Sequence, residues 1–315
     1  MNGKTKIPVV FAFDENYVLP ASVAISSLVE KAKEDVEYEI IVLHEGLSES
    51  VKREFEKISP IKWIGVPKKA INGFPCGWSG RATWFRIMIA ELLEGYKRVI
   101  WSDVDVLFCD DISEAFSMEM NGAQWAGVYT GLNGVDEKLY EGRKGLYLPG
   151  FMVVDLNSWK DMCFWEKAQA FVKEHFSDLK SYDLDVLNMV AQKKESIPLK
   201  YCVFERLVDN EDFRTVPEYA FLRDFYSDEE IENARKKPAI IHYAGPGMKI
   251  WLRRLRDMHE DYRNAVIKSP FWDEDREKSS LRSFWKYFVN TLKYFATRNI
   301  KFRRQAGIYK RAVFS

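Results

Sequence analysis

Apolar and polar positions alternate in blocks along the first hundred residues, each block about the length of one secondary-structure element. Residues 7–13 (IPVVFAF) form an apolar, β-branched run ended by Asp14, Glu15 and Asn16, which predicts a buried strand opening into a polar loop. Helical spacing follows over 22–31, then a second strand at 38–43 (YEIIVL), a helix at 49–58 and a third strand at 62–66. Such alternation predicts βαβ units and a mostly parallel, Rossmann-like α/β sheet flanked by helices. Residues 83–93 (TWFRIMIAELL) predict an apolar helix, and 98–101 (RVIW) a strand delivering Ser102, Asp103, Val104 and Asp105 at its carboxyl end. Ligands of open α/β sheets sit outside those ends, so 14–17 and 103–105 are expected to share one crevice. Later segments predict a strand at 151–155 (FMVVD), a long amphipathic helix over 158–175 with a serine cap, and a helix start over 183–192. A last strand at 239–243 (AIIHY) delivers His242 to the loop GPGMKIW.

Length and composition refine this outline. With 315 residues and 47% apolar content the chain can bury a full core, and one large domain over 1–268 with an appendage over 269–315 is expected. Equal totals of 47 basic and 47 acidic residues conceal an asymmetry, because the ten Lys and Arg from Lys278 onward face no acid. The body is therefore acidic and the tail basic. Cys76, Cys109, Cys163 and Cys202 are far apart and form no C-x-x-C pair, so reduced structural thiols of a cytosolic protein are expected. The amino terminus is too polar for a signal peptide, and no stretch reaches the roughly 18 apolar residues of a membrane span.

Candidate chemistry centres on the Asp-x-Asp turn. Two hard oxygen ligands at a strand end suit Mg²⁺ or Mn²⁺ and, through the metal, a diphosphate. Taken alone the same turn is equally a solvated loop, or the opening of a haloacid-dehalogenase-type phosphatase in which the first aspartate is a nucleophile. The phosphatase motif normally follows the first strand, whereas Asp103 lies a third of the way along the chain. His242 adds an imidazole, and Gly245 and Lys249 follow it in one loop. An imidazole joining two carboxylates favours Mn²⁺ over Ca²⁺, while a histidine satisfied within the core is the plainer alternative.

Four motifs in this order, FAFDENY, RATWFR, WSDVDVLF and HYAGPGMKIW, resemble the family 8 glycosyltransferases over residues 7 to 268. That resemblance implies the GT-A fold, a UDP-sugar donor, Mn²⁺ and transfer of a hexose, galactose or glucose, with retention of anomeric configuration. It makes Asp103, Asp105 and His242 the metal ligands, with Val104 between them in the donor site. Ala12, Asp14, Asn16 and Tyr17 become nucleoside contacts, Arg86 reaches the donor near the sugar or serves as a buried partner, and Gly245 and Lys249 meet the diphosphate. Two segments depart from the family pattern. Leu148-Pro149-Gly150 stands where Asn-Ala-Gly is common, retaining only Gly150, and Asp183-Leu184-Asp185 stands where Asp-Gln-Asp is common. Asp183 can still bond sugar hydroxyls and Asp185 is a nearby carboxylate. With leucine in place of the amide, same-face attack is expected, with Asp185 as a nucleophile the alternative. A catalytically silent UDP-sugar-binding protein is the remaining reading.

The tail has its own pattern. Leu281, Trp285, Phe288, Leu292 and Phe295 share one helical face bordered by Arg282, Lys286 and Lys293, ahead of a basic aromatic run. Such a face fits the headgroup zone of an anionic membrane, or alternatively packs on the body. Similar tails occur in bacterial members of the resembled family. The expectation is a peripheral protein on the cytoplasmic face of a bacterial plasma membrane, acting on a lipid-linked or polysaccharide acceptor such as lipopolysaccharide or capsule, and not a nucleic-acid binder.

Overall fold

A computed structural model describes residues 4–272, except 76–79, 133–134, 210–211, 213, 215–216 and 245–248, and gives backbone alone at 217–220. The tail pattern lies beyond the described residues. The chain divides into two compact units, Met1–His242 and Tyr243–Ser315.

Ten strands organise the described residues of the first unit: β1 (Thr5–Ala12), β2 (Val36–His44), β3 (Ile61–Gly65), β4 (Arg98–Ser102), β5 (Val106–Phe108), β6 (Trp125–Thr130), β7 (Leu146–Asp155), β8 (Lys194–Ser196), β9 (Val203–Phe204) and β10 (Ile240–His242). Seven form one sheet in the order β3-β2-β1-β4-β7-β6-β8. Only the pairings of β7 with β4 and with β6 are antiparallel, so the expected mostly parallel sheet is present. The apolar runs of β1 and β2 are buried on both faces because helices cover the sheet, which explains why they do not alternate. The chain winds outward through β1, β2 and β3 and then returns to the other side of β1 at β4. That reversal makes a topological switch point between the carboxyl ends of β1 and β4, the position where doubly wound sheets open a ligand crevice.

Two local details differ from the sequence expectation. Residues Ala82–Met88 form a 3-10 helix, and only Ile89–Leu92 is α-helical. Trp84, Phe85, Arg86, Ile87 and Met88 are all buried, so most of this segment winds inside the core, with Ala82 and Thr83 half-buried at its start. The helix expected over 158–175 is two helices, Leu156–Asp161 and Phe164–Glu174, with Cys163 in the left-handed region at φ 53° between them. The cap is Asp155, whose side chain accepts from Ser158 N, rather than Ser158 itself. The break lets Trp159 and Phe164 stack at 4.0 Å inside the core.

A second sheet has the order β5-β10-β9. Strand β10 runs antiparallel to β5, pairing His242 with Val106, and parallel to β9, pairing His242 with Phe204. The second unit contains short turns at Ile250–Leu252 and Leu255–Asp257 and the helix Glu260–Lys268, with Tyr243 and Tyr262 meeting edge to face at 4.7 Å. No helix among the described residues is long and apolar enough to cross a membrane.

Candidate active site

The register of the small sheet assembles the site. Because His242 pairs with Val106, the imidazole arrives one residue past Asp105 although 137 positions separate the two in sequence. His242 Nε2 lies 3.1 Å from Asp105 Oδ1 and 3.7 Å from Asp103 Oδ2. One ligand atom from each of Asp103, Asp105 and His242 falls within 4.8 Å of the others, a grouping able to hold a metal ion. Two carboxylate oxygens and an imidazole nitrogen match the preference of Mn²⁺ and also accept Mg²⁺. Burial opposes protonation of His242, but Asp105 and then Cys202 outweigh it and hold the imidazole pKa well above its usual value.

Asp103 is oriented from behind. Its Oδ1 accepts from Arg86 Nη2 at 2.7 Å and from Trp101 Nε1 at 3.3 Å, and its backbone N–H donates to Gly150 O at 2.8 Å. Strand β7 supplies that carbonyl through an irregularity: Val128 and Ala126 of β6 pair with Leu148 and Val153, leaving extra residues on β7 that buckle toward β4. There Phe151 pairs with Ser102, Pro149 O accepts from Arg86 Nη1 at 2.8 Å, and Gly150 comes against His242. A proline fits this position because a buckled strand asks no N–H of it.

Arg86 links the two acidic motifs. Besides Asp103 it pairs through Nε with Asp183 Oδ2 at 3.0 Å, and its guanidinium lies over the Trp101 ring at 5.0 Å. Burial opposes its charge, but Asp103, Asp183 and Asp105 together raise its pKa. Asp183 also accepts from Thr83 Oγ1 at 2.8 Å, and burial pushes its carboxyl up to about 6 despite the arginine. Asp185 points elsewhere: its oxygens accept from Tyr140 OH at 3.1 Å and Ser181 N at 2.7 Å, it is fully buried, and that burial raises its pKa. Tyr182, at φ 50°, turns the chain into this helix in the left-handed region. Leu184 and Leu148 pack together on a small apolar cluster of Val135, Tyr140 and Leu146.

The β1 loop opens at the same sheet edge. Val10 pairs with Trp101, so the carboxyl ends of β1 and β4, at Ala12 and Ser102, lie on the same side of the sheet. Asp14 accepts from Asn16 N at 2.8 Å and caps the turn Glu15–Tyr17; Asp14 and Asn16 are exposed, while Ala12 and Tyr17 are half-buried. Val104 is buried, leaving its backbone as the part that could meet a ligand. Lys249 lies in the second unit, its ammonium 5.6 Å from the centre of the Trp251 ring. Gly245 falls outside the described residues. Cys163 and Cys202 are in no disulfide among the described residues. Thr83, Trp101, Cys202 and Phe204 were not singled out as site residues from the sequence; Thr83 stands within the RATWFR motif and Trp101 opens WSDVDVLF, whereas nothing local marks Cys202 and Phe204 as site neighbours.

Comparison with known proteins places the chain in a family and a fold. Residues 8–254 match the family described as glycosyl transferase family 8. General stress protein A of Bacillus subtilis (strain 168) is 24% identical over 285 residues, covering 84% of this chain and 90% of that protein. Lipopolysaccharide 1,2-glucosyltransferase of Escherichia coli (strain K12) is 23% identical over 309 residues, covering 93% and 87%. Among solved structures, the galactosyltransferase LgtC in complex with donor and acceptor sugar analogs superposes with a TM-score of 0.70 at 19% identity, over 86% of this chain and 99% of that one. The GT-A fold of the first unit is thereby shared with that structure.

Proposed function

The chain belongs to glycosyl transferase family 8, and from that premise we propose that it moves a hexose from a UDP-sugar to a cell-surface glycan with retention of anomeric configuration, using Mn²⁺ or Mg²⁺. The observation that carries this reading is the convergence of Asp103, Asp105 and His242 within 4.8 Å at the carboxyl edge of the sheet. A divalent ion bound there supplies Lewis-acid neutralisation of the charge that develops on the diphosphate. The protein's own part is preorganisation: Arg86 and Trp101 fix one oxygen of Asp103 and leave the other facing the imidazole. Ala12, Asp14, Asn16 and Tyr17 border the nucleoside end of the crevice. Gly245 and Lys249 are assigned to the diphosphate by the motif resemblance.

Retention needs either a covalent carboxylate intermediate or attack from the face the UDP leaves. Both oxygens of Asp183 are engaged by Thr83 and Arg86, and both of Asp185 by Tyr140 and Ser181. Leu184 between them has no lone pair to offer. These engagements support same-face attack, in which the acceptor hydroxyl forms the new glycosidic bond as the sugar–phosphate bond breaks and the departing phosphate oxygen takes its proton. The dehalogenase alternative loses its basis, because Asp103 follows the fourth strand and its Oδ1 is occupied by Arg86. The acceptor we propose is lipid-linked or polysaccharide, reached at the cytoplasmic face of a bacterial membrane through the basic tail.

The test is incubation of the full chain with Mn²⁺ and a panel of UDP-hexoses, reading release of free UDP. Turnover of at least one donor, lost in Asp103→Asn, is expected. Binding of UDP and Mn²⁺ with no turnover of any donor would make the protein a silent binder, and phosphate release from simple esters would restore the phosphatase.

A further inference from the structure

His242 is held in a narrow slot. Phe204 stacks on its ring at 5.8 Å with an 18° interplanar angle, Gly150 faces it without a Cβ, and Nε2 points at the two aspartates. The other ring nitrogen, Nδ1, lies 3.5 Å from the sulfur of Cys202, a residue 2% exposed that immediately precedes β9. A neutral imidazole that gives Nε2 to an ion must carry its proton on Nδ1, and in a buried slot that proton needs an acceptor. Carboxylates and backbone carbonyls usually take that role; here the neighbour of Nδ1 is the Cys202 thiol. The strand β9 that carries Phe204 also fixes the path of Cys202, since Phe204 pairs with His242 across the parallel register.

We propose that Cys202 accepts the Nδ1–H hydrogen bond of His242 and is thereby a positioning residue that sets the metal-competent tautomer. The proposal rests on Asp103, Asp105 and His242 forming the metal site. Sulfur is a weak acceptor, but it is large and polarizable, which suits the 3.5 Å separation. The direction of this one bond matters. If the thiol donated to Nδ1 instead, the ring proton would sit on Nε2 facing Asp105, and the lone pair needed by the ion would be absent. Volume and acceptor capacity separate cleanly by substitution: valine fills the space without accepting, serine accepts in less space, and alanine does neither.

The experiment titrates the full chain with Mn²⁺, following the electron paramagnetic resonance signal of the free ion, for the wild type and for Cys202→Val, Cys202→Ser and Cys202→Ala. Long-range ¹H–¹⁵N spectra of the Mg²⁺-loaded proteins report which ring nitrogen of His242 carries the proton. Loss of an outer partner of a metal-bound histidine weakens affinity by about 10- to 100-fold, so valine and alanine are expected to fall to that extent and serine to recover most of the affinity. The spectra are expected to show the Nδ1–H form in the wild type and serine proteins. Wild-type Mn²⁺ affinity in Cys202→Val overturns the proposal, as does a serine protein as weak as the valine one. Absence of Mn²⁺ binding in the wild type, or binding unaffected by His242→Ala, instead removes the metal site itself. Thermal melting of each variant identifies any that fails to fold, and Cys202→Ala, which adds no atoms, then carries the comparison.

Discussion

Replacing Gly150 by alanine tests the site's geometry with a single methyl group. A Cβ at this position falls 2.5 Å from Cε1 and 2.9 Å from Nδ1 of His242, and 3.5 Å from Oδ2 of Asp103. Carbon atoms pack best at about 3.5–4.0 Å, so the imidazole must retreat by about 1 Å. Phe204 and Cys202 flank the ring, so the retreat also disturbs them. Metal–ligand distances tolerate only about 0.2 Å, so the displaced ring ceases to be a ligand. Mn²⁺ affinity, read by titration of the free-ion signal, is expected to fall at least tenfold, more than the lower end of the loss of about 10- to 100-fold seen when a mere outer partner is removed. Urea unfolding without metal is expected to show a cost of about 1–3 kcal/mol from overpacking. In a His242→Ala background that cost should vanish, because the atoms the methyl group meets are gone and the remaining 3.5 Å approach to Asp103 is ordinary contact. Additive costs in the double variant, or unchanged Mn²⁺ binding in Gly150→Ala, would refute the placement of this ring.

Three further outcomes follow from the same residues. Arg86→Met removes the cation shared by Asp103 and Asp183 and is expected to destabilise the protein by about 3–5 kcal/mol in urea unfolding, as for other buried pairs left with one partner; an unchanged midpoint contradicts the assignment. The folded Asp183 carboxyl keeps its proton up to about 6, against a usual value of 3.8, so the native state binds an extra proton between these values. Its contribution to stability is therefore full below the lower value and lost as pH rises through the upper one, with a slope of at most about 1.4 kcal/mol per pH unit, and Asp183→Asn should flatten that part of the stability profile. Deleting residues 277–315 is expected to release the protein from the membrane fraction while donor hydrolysis persists; unchanged membrane association defeats the role given to the tail.

Much of this was legible in the sequence because it is local. The apolar runs at 7–13, 38–43, 62–66 and 98–101 each end in polar residues, and all four are strands of the main sheet. The Asp-x-Asp turn and His242 were likewise visible, since strand ends and loop residues announce themselves by composition. What composition could not carry was pairing across long distances. Nothing near His242 says that it lies opposite Val106, in a small sheet separate from the one holding β4. The buckle in β7 was equally hidden, because it arises from unequal pairing with two neighbours at once. The remaining difference lies at residues 82–88, where an apolar run reads as an α-helix but winds as a 3-10 helix.

Arg86 shows how these distant pieces act as one device. In the proposed metal site Asp103 offers one oxygen to an ion, and a carboxylate is free to rotate unless something holds it. The guanidinium and the Trp101 indole both take Oδ1, which leaves Oδ2 on the side of His242. The same arginine then ties Asp183, at the start of the helix bearing Leu184, to the back of the metal motif. Its Nη1 bond to Pro149 O holds the buckled strand that brings Gly150 against the imidazole. A cation with five donors in one plane can meet all three demands together, which a lysine cannot. The two segments that depart from the family pattern, 148–150 and 183–185, are thus coupled to the metal site through one side chain. Leu148 and Leu184 themselves pack on the apolar cluster of Val135, Tyr140 and Leu146, so it is the neighbouring Pro149 carbonyl and Asp183 carboxylate that carry the coupling.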